Sequence, residues 1–150
     1  MTLLELSDRQ EIQDLLVDYC YAVDHQQWDY LDKVFAPDAF IDYSELVGFR
    51  GNLAETKVFL ANALPQLVAY QHSISTSQIR LVGDSAHGRT ICTNAVVIMV
   101  EGRRQTMFLG LWYRDTFVRT SAGWRIQSRY EERGYEHNAP PGLLPEIGAL

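Results

Sequence analysis

The chain has 150 residues, which is the size of a single domain with a sizeable core. Its hydrophobic content of 47% excludes a disordered chain, and no apolar run approaches the roughly 20 residues that a membrane helix needs. The formal net charge of -6 argues against a nucleic-acid partner, because phosphate binding relies on a basic protein face.

The first predicted element is a helix. Ser7, followed three residues later by Gln10, forms a capping-box pattern that satisfies free amides at a helix start. Apolar residues then recur at helical spacing and predict one buried face. These residues are Ile12, Leu15, Leu16, Tyr19 and Val23.

Shorter elements are predicted next. A second short helix holds residues 28–35, and the Pro-Asp pair at 37–38 ends it. Residues 39–43 have the composition of a first strand. After Gly48 and Gly51, residues 53–64 form a helical pattern with a proline just beyond.

From residue 71 onward the pattern changes to long strands. Four β-rich runs, at 71–82, 89–100, 105–118 and 124–132, are joined by short turns and predict an antiparallel meander. Helices followed by strands predict an α+β domain, with the helices packed on one face of a curved sheet. The tail from His137 onward is predicted to be irregular.

Known cofactor and nucleophile signatures are missing from the sequence. The cysteines Cys20 and Cys92 have no metal or disulfide spacing and are predicted core residues. The four histidines are scattered, and neither Gly-x-Ser-x-Gly nor a phosphate-binding glycine loop occurs. We therefore expect proton chemistry without cofactor or metal, or binding alone. Because the first eight residues do not resemble a signal peptide, we expect a cytoplasmic protein with no membrane partner.

Asp24 is the first candidate for chemistry. It lies at the end of the first predicted helix, at the edge of the apolar stripe. A carboxylate placed against apolar surface can accept a proton near neutral pH. The alternative is a structural role, in which Asp24 caps the next turn at residues 25–27.

His72 is the second candidate and opens the long strand run. If Ile74 points into the core, His72 shares its face by the two-residue period of a strand. A neutral imidazole facing a pocket can take or give a proton, and a neighbouring carboxylate would fix its tautomer. A histidine without a catalytic role is the alternative.

Tyrosines and two arginines complete the candidates. A buried phenol usually makes one structural hydrogen bond, but it can also polarise a substrate oxygen. The tyrosines considered are Tyr19, Tyr43, Tyr113 and Tyr130. Arg129 and Arg133 lie near the end of the last predicted strand. The pattern alone favours surface pairs with neighbouring glutamates, and binding of an oxyanion is the alternative.

A resemblance to a known superfamily emerges from short segments in a fixed order. The segments are YCYAVD (19–24), WDYL (28–31), VFAPDA (34–39), IDYS (41–44), the 48–51 turn, His72 and GWRI (123–126). Together they resemble SnoaL-like proteins of the nuclear-transport-factor-2-like superfamily. This resemblance implies a cystatin-like cone over residues 1–135, with three N-terminal helices on a curved, mostly antiparallel (mixed) sheet, and an irregular tail over 136–150.

The resemblance also implies site residues. Scytalone dehydratase, bile-acid 7α-dehydratase and the dehydrochlorinase LinA are similar in pairing a helix-end aspartate with a histidine that opens a strand. Similarity to them places this pair on Asp24 and His72, a helix tyrosine on Tyr19 and a substrate-polarising tyrosine on Tyr43. Similarity to the bile-acid enzyme places the site arginine on Arg133, whereas similarity to the dehydrochlorinase places it nearer Arg129.

The sequence departs from scytalone dehydratase at one catalytic position. That enzyme has a second histidine in a middle strand, where this chain has Asn94, Ala95 and Val96. The same substrate is therefore not expected. The pocket lining predicted here consists of Trp28, Phe35, Asn94, Val96, Ile98, Leu111, Trp112 and Tyr113.

Three functions follow as expectations. The first is a cofactor-independent lyase of the dehydratase type, acting on a small apolar cyclic molecule through His72 and Asp24. The second is an isomerase or polyketide cyclase that uses Asp24 alone, and the third is a binding or assembly module without catalysis. A homodimer or homotrimer is expected in each case, because closed symmetric assemblies are the general rule.

Overall fold

The computed structural model of the chain describes residues 1–147. Its α-helices are α1 (Leu3–Asp24), α2 (Ser44–Val47) and α3 (Leu53–Ala63), with 3₁₀ helices at Trp28–Lys33 and Leu64–Gln66. Its strands are β1 (Phe35–Tyr43), β2 (Phe49–Asn52), β3 (Ala69–Val82), β4 (Ser85–Val100), β5 (Arg103–Thr120) and β6 (Gly123–His137). Over this stretch no helix combines the length and apolar character needed to cross a bilayer.

The strands form one six-stranded sheet in the order β2-β1-β6-β5-β4-β3. All neighbours are antiparallel except β1 and β6, which run parallel. The sheet is curved and open, and the helices pack on its inner face. The predicted α+β architecture, with helices on a curved mixed sheet, is confirmed.

The core lies between α1 and the inner face of β4, β5 and β6. Successive strand residues point to opposite faces, so Cys92 and Leu111 are buried while Ile91 and Trp112 belong to the outer face. Cys20 on α1 is also buried. Both cysteines are free, which confirms their prediction as core residues.

The first helix begins earlier than its predicted start at Ser7. Its N-cap is Thr2, whose side chain accepts from the Glu5 amide while the Glu5 carboxylate accepts from the Thr2 amide. This Thr-x-x-Glu pair is a capping box as good as the Ser7–Gln10 pair. The prediction of Ser7 as the cap was therefore wrong, and Ser7 lies in the second turn.

The second predicted helix is shorter than expected. It is a 3₁₀ helix over Trp28–Lys33, and Phe35 already belongs to β1. Pro37 therefore lies inside a strand instead of ending a helix. The register between β1 and β6 shifts between Phe35 and Phe40, which spans this proline. The shift fits a residue that cannot donate to the strand ladder.

The last strand is longer than the predicted 124–132 and continues to His137. Beyond it the chain is irregular, and the Pro145 carbonyl accepts two hydrogen bonds from Arg133. Leu144 packs against the core, so this part of the tail folds back onto its own domain. Residues 148–150 of the predicted tail lie outside the described residues.

Candidate active site

Asp24 and His72 form a hydrogen-bonded pair. Asp24 Oδ1 lies 2.6 Å from His72 Nδ1, and Asp24 Oδ2 accepts from the His72 backbone amide at 3.0 Å. A carboxylate only accepts hydrogen bonds, so Nδ1 carries the proton and Nε2 is left free as a base. The second bond, to the backbone, fixes the carboxylate relative to β3. The pair predicted from the sequence is therefore brought together.

The end of α1 places the Asp24 carboxylate. Gln26 adopts a left-handed conformation with φ 56, and the Gln27 amide donates to the Ala22 carbonyl at 2.8 Å. The His25 ring nitrogen Nδ1 also bonds the Tyr21 carbonyl at 2.8 Å, so the helix is closed without the Asp24 side chain. The hydrogen bonds of the Asp24 side chain go to His72. The alternative prediction, that Asp24 caps residues 25–27, was wrong.

Two tyrosines lie beside the pair. The Tyr19 and Tyr43 hydroxyls are 2.5 Å apart, and both side chains are buried. Tyr19 comes from α1 and Tyr43 from the end of β1, and the Tyr19 ring meets the His72 ring edge-on. Burial raises the pKa of both phenols, so both remain protonated donors at neutral pH.

A cavity of about 160 Å³ adjoins these groups. Its polar wall contains His72, Tyr19, Tyr43, Asn94 and Glu131. The remaining wall is apolar and comes mainly from the segment between β1 and β3. The apolar lining residues are Val23, Leu46, Val47, Phe59, Leu60, Ala63, Leu64, Leu67 and Leu109. Asp24 is not among the lining residues and supports the imidazole from behind.

Glu131 is a buried acid in the cavity wall. Only 8% of the residue is exposed, and within residues 1–147 its carboxyl has no hydrogen-bond partner. Burial raises the pKa of Glu131 to about 8, with a further raising effect of Asp115 and Asp42 and an opposing effect of Arg129. Glu131 is therefore mostly protonated at neutral pH. The sequence analysis did not select this residue as a site residue.

Asn94 occupies the position opposite His72 in the β3–β4 ladder. Its side-chain oxygen is buried without a hydrogen-bond partner in the described chain, and the residue lines the cavity. Asn94 thus stands in the middle-strand region where scytalone dehydratase has a histidine. It can offer a hydrogen bond there but cannot act as a base.

Arg129 is fully buried and does not line the cavity. It forms two hydrogen bonds of 2.8 Å with Asp115 on β5. Its guanidinium also stacks on the rings of Tyr19 and Tyr113, at 4.1 and 3.7 Å from their centroids. The surface position favoured for Arg129 by its sequence pattern was therefore wrong. Arg129 supports Tyr19 from behind.

Arg133 is half-buried on the inner face of the sheet, opposite Leu111. Its guanidinium donates to the Pro145 carbonyl at 2.8 Å and 3.1 Å, and its backbone amide donates to Glu45. It does not appear in the cavity wall. Neither arginine therefore contacts the cavity directly.

Of the predicted pocket residues, Asn94 alone lines this cavity. Phe35, Leu111, Tyr113 and Val96 are buried in the core around it, while Trp28 and Ile98 are partly buried elsewhere. Trp112 lies on the outer face, where Arg89 stacks on its ring at 4.3 Å. It could not share a face with Leu111, because consecutive strand residues point in opposite directions. Tyr130 is also on the outer face, beneath Arg114.

Most of the lining residues were missed because they come from the segment around α2 and α3. The 3.6-residue period of α3 could have indicated Leu60, but not that this face closes a cavity. Among the described residues, no group of three or more His, Cys, Asp or Glu side chains is arranged to hold a metal ion.

Comparison with known proteins identifies relatives over nearly the whole chain. A family model described as the SnoaL-like domain matches residues 4–130. An uncharacterised protein of Mycobacterium tuberculosis (strain ATCC 25618 / H37Rv) is 44% identical over 136 residues, which are 91% of this chain and 92% of that protein.

Solved structures share the fold at lower identity. A Novosphingobium aromaticivorans protein provisionally assigned as a scytalone dehydratase has a TM-score of 0.82 and 20% identity, covering 100% of this chain and 99% of its own. The hexachlorocyclohexane dehydrochlorinase LinA-type3 of Novosphingobium barchaimii has a TM-score of 0.76 and 20% identity, covering 95% and 97%. At this identity the likeness establishes the fold.

Proposed function

Because the chain belongs to the SnoaL-like domain family, we propose that it is a cofactor-independent lyase acting on a small apolar cyclic molecule. The observation that carries the proposal is the 2.6 Å contact between Asp24 and His72, with the His72 ring in the wall of a largely apolar cavity. The names of two structural neighbours, a dehydratase and a dehydrochlorinase, both denote eliminations and support the same class.

His72 is the base in this proposal. Its Nε2 atom would remove a proton from a carbon next to an activating group, and a leaving group on the adjacent carbon would depart. Asp24 holds the ring through Nδ1, accepts from the His72 backbone amide with its other oxygen, and stabilises the imidazolium that forms. Such positioned proton transfer is typically worth about 10²- to 10⁴-fold in rate.

The Tyr19–Tyr43 pair supplies hydrogen bonds to oxygen. Both phenols line the cavity and are protonated, so one of the pair can donate to the activating carbonyl of the substrate. Charge that develops on that oxygen would then be stabilised by a fixed donor in a water-poor site. Arg129, stacked on the Tyr19 ring, holds that phenol in position.

The cavity limits the size of the substrate. A closed apolar cavity of roughly 150 Å³ holds one benzene molecule. The cavity here is about 160 Å³ and therefore matches a single six-membered ring. The cavity is open on one side, so the remainder of a larger substrate would project into solvent.

The isomerase or cyclase that uses Asp24 alone has less support. The Asp24 carboxylate is engaged by the ring and the backbone of His72 and does not line the cavity. A carboxylate acting alone would need direct access to the substrate. The binding module without catalysis also has less support, because a fixed Asp–His pair facing a cavity is not required for binding.

The test is a screen of single-ring hydroxy and halo ketones for elimination, followed by three variants of the protein. His72→Ala should lower turnover by at least about 10²-fold, because the base is lost. Asp24→Asn should lower it by less, since the ring remains. His87→Ala, at an exposed histidine on β4, is the matched control and should keep full activity. Full activity of His72→Ala would refute the proposal.

A further inference from the structure

Glu131 is a feature of the cavity that the base and the tyrosine pair do not explain. It is more than nine-tenths buried, it lines the cavity, and no described residue hydrogen-bonds its carboxyl. The carboxyl borders the cavity and is not among the fully enclosed polar atoms of residues 1–147, so a ligand in the cavity can supply the hydrogen-bond partner that the protein does not. Asn94, whose oxygen also lacks a partner, lines the same cavity.

We propose that Glu131 is the proton donor of the cavity, which delivers a proton to a departing hydroxyl group and restricts the substrate to neutral β-hydroxy ketones with one ring. This inference rests on the proposed lyase function and names its substrate class. Glu131 approaches the cavity from β6, whereas His72 approaches from β3. The base and the acid therefore stand on different strands around one substrate site.

The surroundings of Glu131 favour its neutral form. The charged groups that act on it are Arg129 of β6, Asp115 of β5 and Asp42 of β1. The neutral ionisable side chains that interact with it are Tyr19, Tyr43, Tyr113 and Cys92, and His72 lies in the same cavity wall. The one cation in this set, Arg129, is bound at two positions to Asp115. It therefore does not form an ion pair with Glu131. A carboxyl in such a site keeps its proton and donates it.

The chemical step balances without a further reactant. Nε2 of His72 takes the proton from the carbon next to the carbonyl, and the electron pair of that C–H bond forms the C=C bond. The C–O bond breaks with its electron pair on oxygen, and the oxygen takes the Glu131 proton and leaves as water. One proton then passes from the His72 imidazolium to the Glu131 carboxylate through solvent, which restores both groups.

Charged substrates would fit this cavity poorly. In the described chain its lining contains neither lysine nor arginine. Arg133 is engaged with the Pro145 carbonyl, and Arg129 lies behind Tyr19. A carboxylate ligand would therefore be desolvated without a counter-ion, whereas the hydroxyl of a neutral hydroxy ketone would accept from Glu131 and donate to Asn94 Oδ1.

The decisive experiment compares two leaving groups in the intact protein. A departing hydroxyl needs a proton, whereas a departing chloride does not. The probes are 3-hydroxycyclohexanone and 3-chlorocyclohexanone, each corrected for its uncatalysed elimination. Glu131→Gln should lower the rate of dehydration by about 10²- to 10⁴-fold and leave loss of chloride nearly unchanged. Equal effects on both probes, or no effect on either, would overturn the inference.

Glu132→Gln is the matched control. Glu132 is the next residue of β6, and it pairs with Arg89 on the outer face. Its replacement should leave both rates as in the wild-type protein. His72→Ala separates the two proposals, because it should abolish elimination of both leaving groups. If it does so while Glu131→Gln affects neither, the base assignment stands and the role of Glu131 is refuted.

A binding measurement tests Glu131 without turnover. Cyclohexanol, which carries the hydroxyl but no carbonyl, should bind more tightly than cyclohexanecarboxylate by calorimetric titration. Glu131→Leu should weaken cyclohexanol binding by about fivefold, the value of one hydrogen bond of about 1 kcal/mol. In the wild-type protein, but not in Glu131→Leu, this binding should weaken as the pH rises above about 8. Unchanged affinity in the leucine variant would overturn the inference.

Discussion

Arg129 and Asp115 form a bidentate ion pair, and both side chains are completely excluded from solvent. The pair joins β6 to β5 directly behind the Tyr19 and Tyr113 rings. Buried pairs gain little over an apolar pair of the same shape, but losing one partner leaves a charge stranded in the interior. Because Arg129 stacks on the Tyr19 ring, the position of Tyr19 depends on this ion pair, although neither Arg129 nor Asp115 lines the cavity.

Removing one charge of this pair should destabilise the whole domain. Asp115→Asn should lower the free energy of unfolding by about 3–5 kcal/mol, because Arg129 would be left without its counter-ion. Urea titration followed by circular dichroism measures this change. Asp38→Asn is the control on β1, since Asp38 is exposed, and it should change little. A loss below about 1 kcal/mol for Asp115→Asn would mean that the pair is not isolated from water.

The two tyrosine hydroxyls should behave as one unit. Tyr19→Phe and Tyr43→Phe should each lower the free energy of unfolding by about 1 kcal/mol, because each leaves the other hydroxyl without its partner. The double variant should lose less than the sum of the single variants. Each single variant should also slow turnover. Additive losses in the double variant would contradict the 2.5 Å hydrogen bond.

Stability should depend on pH through Glu131. Its pKa is about 8 in the folded protein and near the ordinary value of 4.5 in the unfolded chain, so the folded state binds the proton more tightly between these values. The free energy of unfolding should therefore fall as the pH rises from about 4.5 to about 8. Glu131→Gln should flatten the curve in this window. If the free energy of unfolding of the variant falls with pH as steeply as that of the wild-type protein, the pH dependence arises from another group.

The expected homodimer or homotrimer should form through the outer sheet face. Met99, Phe108 and Tyr135 are exposed large apolar side chains on that face. Phe108→Lys should shift the protein to a monomer in size-exclusion chromatography with light scattering. Val58→Lys, at an exposed apolar residue on α3 and away from that face, should not. A wild-type monomer would refute the expectation.

Asp24 and His72 could be selected from the sequence because Asp24 ends α1 and His72 lies in the first residues of β3, and each element fixes the direction of its side chain. The two residues meet because α1 packs across the start of β3. The helix period and the strand period made each residue a candidate, and the resemblance to SnoaL-like proteins placed the pair on these two positions.

Glu131 and Arg129 could not be predicted by the same rule. Strict alternation from the buried residues Trp124 and Ile126 would place residues 128 and 130 inside. The β5–β6 register instead shifts between Thr116 and Phe117, which reverses the phase and buries Arg129 and Glu131. A bulge is a property of two paired strands, and one strand alone does not reveal it. The cavity lining from α2 and α3 depends on packing in the same way.

The parallel pairing of β1 with β6 has a consequence for how the molecule folds. Ile41 lies beside Arg129 in this ladder, although most of the chain separates them in sequence. Contacts between such distant residues close large loops and form slowly. During synthesis Tyr19 and Tyr43 would leave the ribosome long before the strand that carries Glu131 and Arg129. The site is therefore expected to be among the last parts of the protein to assemble, and a chain shortened before β6 would have no cavity.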